Sequence, residues 1–147
     1  MKDLKKIKIL LVEDSESDIA LIQEFLEEEH DIVFELEITS TLEDAKQWLY
    51  DNIESYPNMI LLDLNLKDST SLNTFYEVKD TLEKQVPIVI FTTVSEREMG
   101  LEAIQNGAAD YLFKFGMEAQ TLIHAILKTI ARDQLFANLD RLKGEHV

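Results

Sequence analysis

The chain reads as an α/β protein of the doubly wound kind, a parallel sheet with helices on both faces. Three observations predict it. Short apolar runs at Ile7–Val12, Met59–Leu62, Ile88–Phe91 and Asp110–Phe113 alternate with helix-length amphipathic segments, the pattern of parallel strands buried on both faces. Each run ends in chosen polar groups: Glu13-Asp14, Asp63, Thr92-Thr93 and Lys114. The 147 residues contain no repeat, low-complexity segment or Pro/Gly-rich linker, which fits one domain with a core of its own. In sheets of this class, ligands sit just beyond the carboxyl ends of the strands, beside the topological switch point. Three acids, a hydroxyl and an amine are thereby delivered to one edge. That combination suits a phosphoryl group and a hard cation.

The elements follow in order. The first strand is Ile7–Val12; Leu4–Val12 carries lysines at positions 5, 6 and 8, so it reads as a strand and not as the apolar core of a signal peptide. Ser15 or Ser17 offers an N-cap for a helix whose apolar stripe is Ile19, Leu21, Ile22, Phe25 and Leu26. Ile32–Ile38 alternates as an edge strand, with Glu35 and Glu37 outward to discourage edge pairing. Thr39 or Ser40 begins a second helix with core face Leu42, Ala45, Trp48 and Leu49. Pro57 precedes the third strand, Leu72–Leu82 forms the third helix, and Pro87 opens the fourth strand. Ser95 with Glu98 reads as a capping box for helix four, which Asn106-Gly107 terminates. The fifth strand, Asp110–Phe113, leads through Gly116 into the last helix.

That helix carries two stripes. Leu122, Ile123, Ile126, Leu127 and Ile130 share a face suited to the sheet. Ala131, Leu135, Leu139 and Leu142 form a second stripe, rotated roughly 140° on the same wheel. It reads either as a frayed polar tail with incidental leucines or as a short extension for a homodimer or a partner. Residues 5–131 are expected to form the domain and 132–147 a helical extension or linker.

Bulk properties narrow the function. Fourteen basic residues against twenty-nine acidic ones give a net charge of -15, which disfavours direct binding of nucleic acid or of anionic membrane. No cysteine is present, so no disulfide framework, thiolate metal site or thiol nucleophile is available. No run approaches a membrane span, and a cytoplasmic location is the expectation. His30, His124 and His146 are too scattered for a metal site.

Four ordered motifs give a resemblance. Leu-Val-Glu13-Asp14 follows the first strand and Leu-Leu-Asp63-Leu-Asn65 the third; Pro87 through Phe91-Thr92-Thr93 makes the fourth, and Gly107-Ala-Ala-Asp-Tyr111-Leu-Phe-Lys114 the fifth. Together they resemble the receiver domain of two-component response regulators, the CheY-like superfamily, over about residues 5 to 131. The resemblance implies a flavodoxin-like (βα)5 fold with strand order 2-1-3-4-5 and an extended C-terminal helix. It implies Asp63 as the nucleophile that takes a phosphoryl group from a phosphohistidine, on a histidine kinase or histidine phosphotransfer protein. It implies Mg²⁺ held by Asp14, Asp63 and the Asn65 backbone carbonyl, with Glu13 acting through water. Lys114 and Thr92 would each engage a phosphoryl oxygen, and Thr92 with Tyr111 would form the switch that moves the face of helix four, strand five and helix five. Beyond its own phosphorylation and slow hydrolysis no enzymatic activity is implied.

Each residue taken alone has a plainer explanation. Adjacent acids such as Glu13-Asp14 often cap a helix, Thr92 is an ordinary strand residue, and Lys114 could be a solvated loop lysine. Their joint arrival at one edge is what argues for chemistry. Three positions, in two loops, depart from the family pattern. Phe115 stands where proline commonly follows the lysine, so a trans bond is expected there, with Gly116 absorbing the altered loop. Lys67 and Ser71 replace a usual proline and glycine after Asp63. The strongest rival is a haloacid-dehalogenase-type phosphohydrolase, which would want a second acid where Asn65 stands and its metal-binding acids downstream. A flavodoxin-like cofactor binder would want a glycine-rich phosphate loop, and the chain's four glycines are not so spaced. A phosphorylation-independent interaction module is the remaining alternative.

Overall fold

In the computed structural model, which describes residues 5–145, strands and helices alternate along the chain. They are β1 (Lys5–Val12), α1 (Glu16–Glu27), β2 (Ile32–Thr39), α2 (Leu42–Asp51), β3 (Met59–Leu62), α3 (Leu72–Thr81), β4 (Ile88–Thr92), α4 (Arg97–Gln105), β5 (Asp110–Phe113) and α5 (Ala119–Glu145). All strand pairings are parallel, and the sheet runs β2-β1-β3-β4-β5. This is the flavodoxin-like order that the sequence motifs imply. Leu4 and His146 lie outside the described residues.

The period-two alternation of each strand divides the core between the two faces. Leu10, Val12, Ile60, Leu62, Ile88 and Ile90 pack with Leu42, Leu49, Phe75 and Val78 beneath α2, α3 and α4. Ile9, Leu11, Met59, Leu61, Val89 and Phe91 pack with Ile22, Leu26, Leu122 and Ile126 beneath α1 and α5. Runs that are apolar at every position are thus explained: both faces of β3 and β4 are covered, and every residue in them is buried. β2, at the sheet edge, alternates half-buried and exposed positions along Ile32–Glu37, with Glu35 and Glu37 outward.

The helix starts follow the sequence in part. Ser15, one of the two candidates, caps α1 by accepting from the Asp18 N–H. α2 starts later than expected: Thr41, neither Thr39 nor Ser40, is its cap, because β2 extends through Thr39. The Ser95–Glu98 capping box does not form. Ser95 instead pairs its hydroxyl with that of Thr93 at 2.9 Å, and a 3-10 turn at Val94–Glu96 delays α4 to Arg97. Gly107, at φ +113, lets the chain turn out of α4 into β5 as expected.

α5 is a single helix of 27 residues, roughly 40 Å long. Leu122, Ile123, Ile126 and Ile130 are buried against the sheet. Past Ile130 the helix continues, and Ala131, Leu135, Leu139 and Leu142 are exposed, joined by Phe136.

Candidate functional site

The hydrogen-bond ladder of the sheet continues one residue past the strands and sets the polar residues side by side. The Glu13 N–H donates to Thr39 O, the Asp63 N–H to Val12 O at 3.0 Å, and the Lys114 N–H to Thr92 O at 2.8 Å. β1 lies between β2 and β3, so Glu13 and Asp63 flank the switch point where such sheets bind ligands. Glu13, Asp63 and Thr92 are buried, and Asp14 and Lys114 half-buried.

Lys114 organises the acids. Its ammonium lies 2.8 Å from Glu13 Oε2, 3.1 Å from Asp18 Oδ2 and 3.3 Å from Asp63 Oδ2, and 5.2 Å above the Phe91 ring. The other Glu13 oxygen accepts from the Ser15 N–H at 3.1 Å, and Asp63 Oδ1 accepts from the Asn65 N–H at 3.1 Å. Burial raises the Asp63 carboxyl above the usual aspartate range, against the pull of the Asn65 N–H and of Lys114. Burial pushes Glu13 up to about 7, with the nearby Asp63 charge adding to the effect and Lys114 opposing it. Burial alone would lower Lys114, yet Glu13, Asp63 and Asp18 hold it above the ordinary lysine range.

Carboxylate oxygens of Glu13, Asp14 and Asp63 lie within 4.8 Å of one another. Three acids, Glu13, Asp18 and Asp63, contact the one ammonium and Asp14 adjoins them, an excess of negative charge that one amine does not balance. An all-oxygen, negatively charged cluster is the donor set a hard divalent cation prefers. The acidic set therefore fits a metal.

Thr92 and Asn65 face a residue that sequence reasoning missed. The Thr92 hydroxyl donates to Glu96 Oε2 at 2.8 Å, and the Asn65 side-chain amide donates to Glu96 Oε1. Tyr111 is half-buried between α4 and the sheet edge, and its ring stands edge-on to Phe113 at 5.3 Å. It depends on Gly100, where a Cβ atom would come within 3.3 Å of the tyrosine ring. Asp18 carried little local signal: Asp14 precedes the N-cap Ser15 and is not helical, and the partner of Asp18 is Lys114, 96 positions away. Glu96 lies only four residues from Thr92, but its other partner, Asn65, is 31 positions away.

The loop after Asp63 is held in an unusual way. Asp68 accepts from the backbone N–H groups of Leu42 and Glu43 at 2.8 and 3.0 Å, joining this loop to the start of α2. Those bonds keep its carboxyl low despite some desolvation. Ser71 adopts φ +61, ψ −158, a backbone region that is essentially glycine's. Lys67 is exposed. At the other departure, no peptide among the described residues is cis, so Lys114–Phe115 is trans as expected, and Gly116 takes φ +76. The Phe115 side chain is 90% exposed.

Comparison with known proteins decides the family. The model for the response regulator receiver domain matches residues 9–127. The chain belongs to that family. Receiver domains are the signalling modules of two-component systems, which excludes the dehalogenase-type and flavodoxin-type readings. Regulatory protein LuxO of Vibrio cholerae is 35% identical over 108 residues, covering 71% of this chain and 21% of LuxO. This receiver chain thus spans about a fifth of the length of its LuxO relatives. The structure of the Mn(2+)-bound form of response regulator Rcp1 is 30% identical, with a TM-score of 0.66 over 82% of this chain and 89% of that one. A response regulator receiver domain protein from Clostridium thermocellum shares the fold at 22% identity, with a TM-score of 0.75 over 88% of this chain and 98% of that one. Among the described residues no helix is long and apolar enough to cross a membrane.

Proposed function

We propose that this receiver accepts a phosphoryl group on Asp63 from the phosphohistidine of a histidine kinase or phosphotransfer protein, in the cytoplasm. The observation that carries the reading is the convergence on Asp63 of a half-buried ammonium, 3.3 Å away on Lys114, with further acids within 4.8 Å. An Asp63 oxygen attacks phosphorus, the phosphorus–nitrogen bond to the imidazole breaks, and an acyl phosphate results. Such a transfer needs chiefly alignment and neutralisation of charge. Lys114 balances one phosphoryl oxygen and the Thr92 hydroxyl donates to another. Asp14, Asp63 and the Asn65 backbone carbonyl would hold Mg²⁺, with Glu13 outside them through water; when bound, the ion supplies further positive charge to the phosphoryl oxygens. The Mn²⁺-bound form of the relative Rcp1 supports a divalent cation.

Drawing Thr92 toward the phosphoryl group vacates space that Tyr111 fills and changes the α4–β5–α5 face, which signals to a downstream protein. Residues 5–131 form the receiver and 132–147 the extension, whose second stripe is available for a homodimer.

The test is intact mass after incubation with acetyl phosphate and Mg²⁺, beside Asp63→Asn. One added phosphoryl group is expected in the parent and none in the variant or without the metal. No adduct, together with no binding of beryllofluoride, would remove the acceptor reading in favour of an interaction-only module.

A further inference from the structure

Glu96 immediately precedes α4, where an acid is favoured by the helix dipole. Yet its side chain makes no capping hydrogen bond. It reaches back into the site, where its two oxygens accept from the Thr92 hydroxyl and from the Asn65 amide. A threonine hydroxyl has one proton to donate. At 2.8 Å Glu96 holds it more closely than the alternative acceptor, Thr93 O at 3.3 Å. The donor that a phosphoryl oxygen would need is thus engaged by a carboxylate of the chain itself. Glu13, Asp14, Asp18 and Asp63 already crowd this edge, and a phosphoryl group adds roughly 1.5 to 2 negative charges. Both the shared donor and the like charge set Glu96 against it.

We propose that Glu96 is an intramolecular competitor of the phosphoryl group: a positioning residue that occupies Thr92 in the resting state and is expelled when Asp63 is modified. The inference rests on the Asp63 acceptor reading and adds to it the residue that sets how readily the site is filled. It also gives the signal a route. Glu96 adjoins Arg97, the first residue of α4, and one turn later Gly100 bears on Tyr111. Release of Glu96 therefore frees the start of the helix that packs on the switch tyrosine.

Beryllofluoride, a non-covalent stand-in for the phosphoryl group, reads the competition without hydrolysis. Its affinity in the presence of Mg²⁺ is measured by calorimetry for the parent, Glu96→Gln and Glu96→Ala. Loss of a hydrogen bond to a charged group predicts about tenfold tighter binding for Glu96→Ala, and a smaller gain for Glu96→Gln, which keeps an acceptor but not the charge. In a Thr92→Ala background the gain from Glu96→Ala should shrink by at least half. A parent that binds, with neither Glu96 variant binding tighter, overturns the proposal alone. A gain undiminished without Thr92 overturns the competition for its hydroxyl. Binding by none of the proteins sinks the Asp63 reading and this inference with it, whereas binding by the variants but not the parent supports both.

Discussion

Glu13 has no exposed surface, and its burial gives the protein a pH dependence with a definite sign. Its carboxyl rises from 4.5 to about 7 on folding, so the folded state favours the protonated form. That contribution is complete below the unfolded value and is lost as pH rises through the folded one. Metal-free protein should therefore lose roughly 2–3 kcal/mol between pH 4.5 and pH 7.5 from this group, and Glu13→Gln should flatten the slope. Thermal melts in a chelator across that range check it; equal slopes in both proteins would refute the assignment. Ser71 carries strain of about 1–3 kcal/mol in its glycine-like conformation. Ser71→Gly should stabilise the chain by about 1 kcal/mol, since glycine also loses more entropy on folding. The midpoint of urea unfolding would report the gain, and a lower midpoint would show that the loop holds Ser71 without strain. Asp63, Glu13, Asp14, Thr92 and Lys114 were legible in the sequence because each ends an apolar run. Asp68 was not, because its partner Leu42 lies 26 positions away; Glu96, though four residues from Thr92, was not, because Asn65, which it also engages, lies 31 away.

At the scale of elements, α5 shows what periodicity conveys and what it leaves open. The first stripe is buried on the sheet. The second continues on the same unbroken helix, with Leu135, Leu139 and Leu142 each more than two-fifths exposed. Apolar residues exposed along one helix bury readily against a second copy. The full chain is expected to be dimeric by light scattering, and a chain shortened after Arg132 monomeric; equal masses per particle would discard the dimer. The start of α4 carries the opposite lesson. Ser95 and Glu98 have the spacing of a capping box, yet the Thr93 hydroxyl engages Ser95 and Glu96 turns to Thr92. The capping-box spacing lost to two other local pairings, Thr93 with Ser95 and Thr92 with Glu96, two and four residues apart.

For the molecule as a whole, the net charge of -15 includes a local excess at the sheet edge, where Glu13, Asp18 and Asp63 contact Lys114 and Asp14 adjoins them. A ligand that binds only the folded chain stabilises it in proportion to the logarithm of its concentration. Mg²⁺ at millimolar concentration should raise the melting temperature by several degrees beyond NaCl of equal ionic strength. Asp14→Asn should remove most of that excess. If both salts raise it equally, the effect is screening of self-repulsion and not occupation of the acidic cluster.

The sequence by itself determined the fold class, the order of elements and the set of strand-end groups. Apolar runs buried on both sides, amphipathic helices and strand-end polar residues are all expressed within a few positions of one another. The tertiary structure alone decided what those groups do to each other: that Lys114 is shared with Asp18, that Asp68 joins the β3–α3 loop to α2, and that Glu96 meets Asn65, 31 positions away. These contacts depend on which strand ends become neighbours and on side chains meeting across the sheet edge, and neither is written in the spacing of residues along the chain.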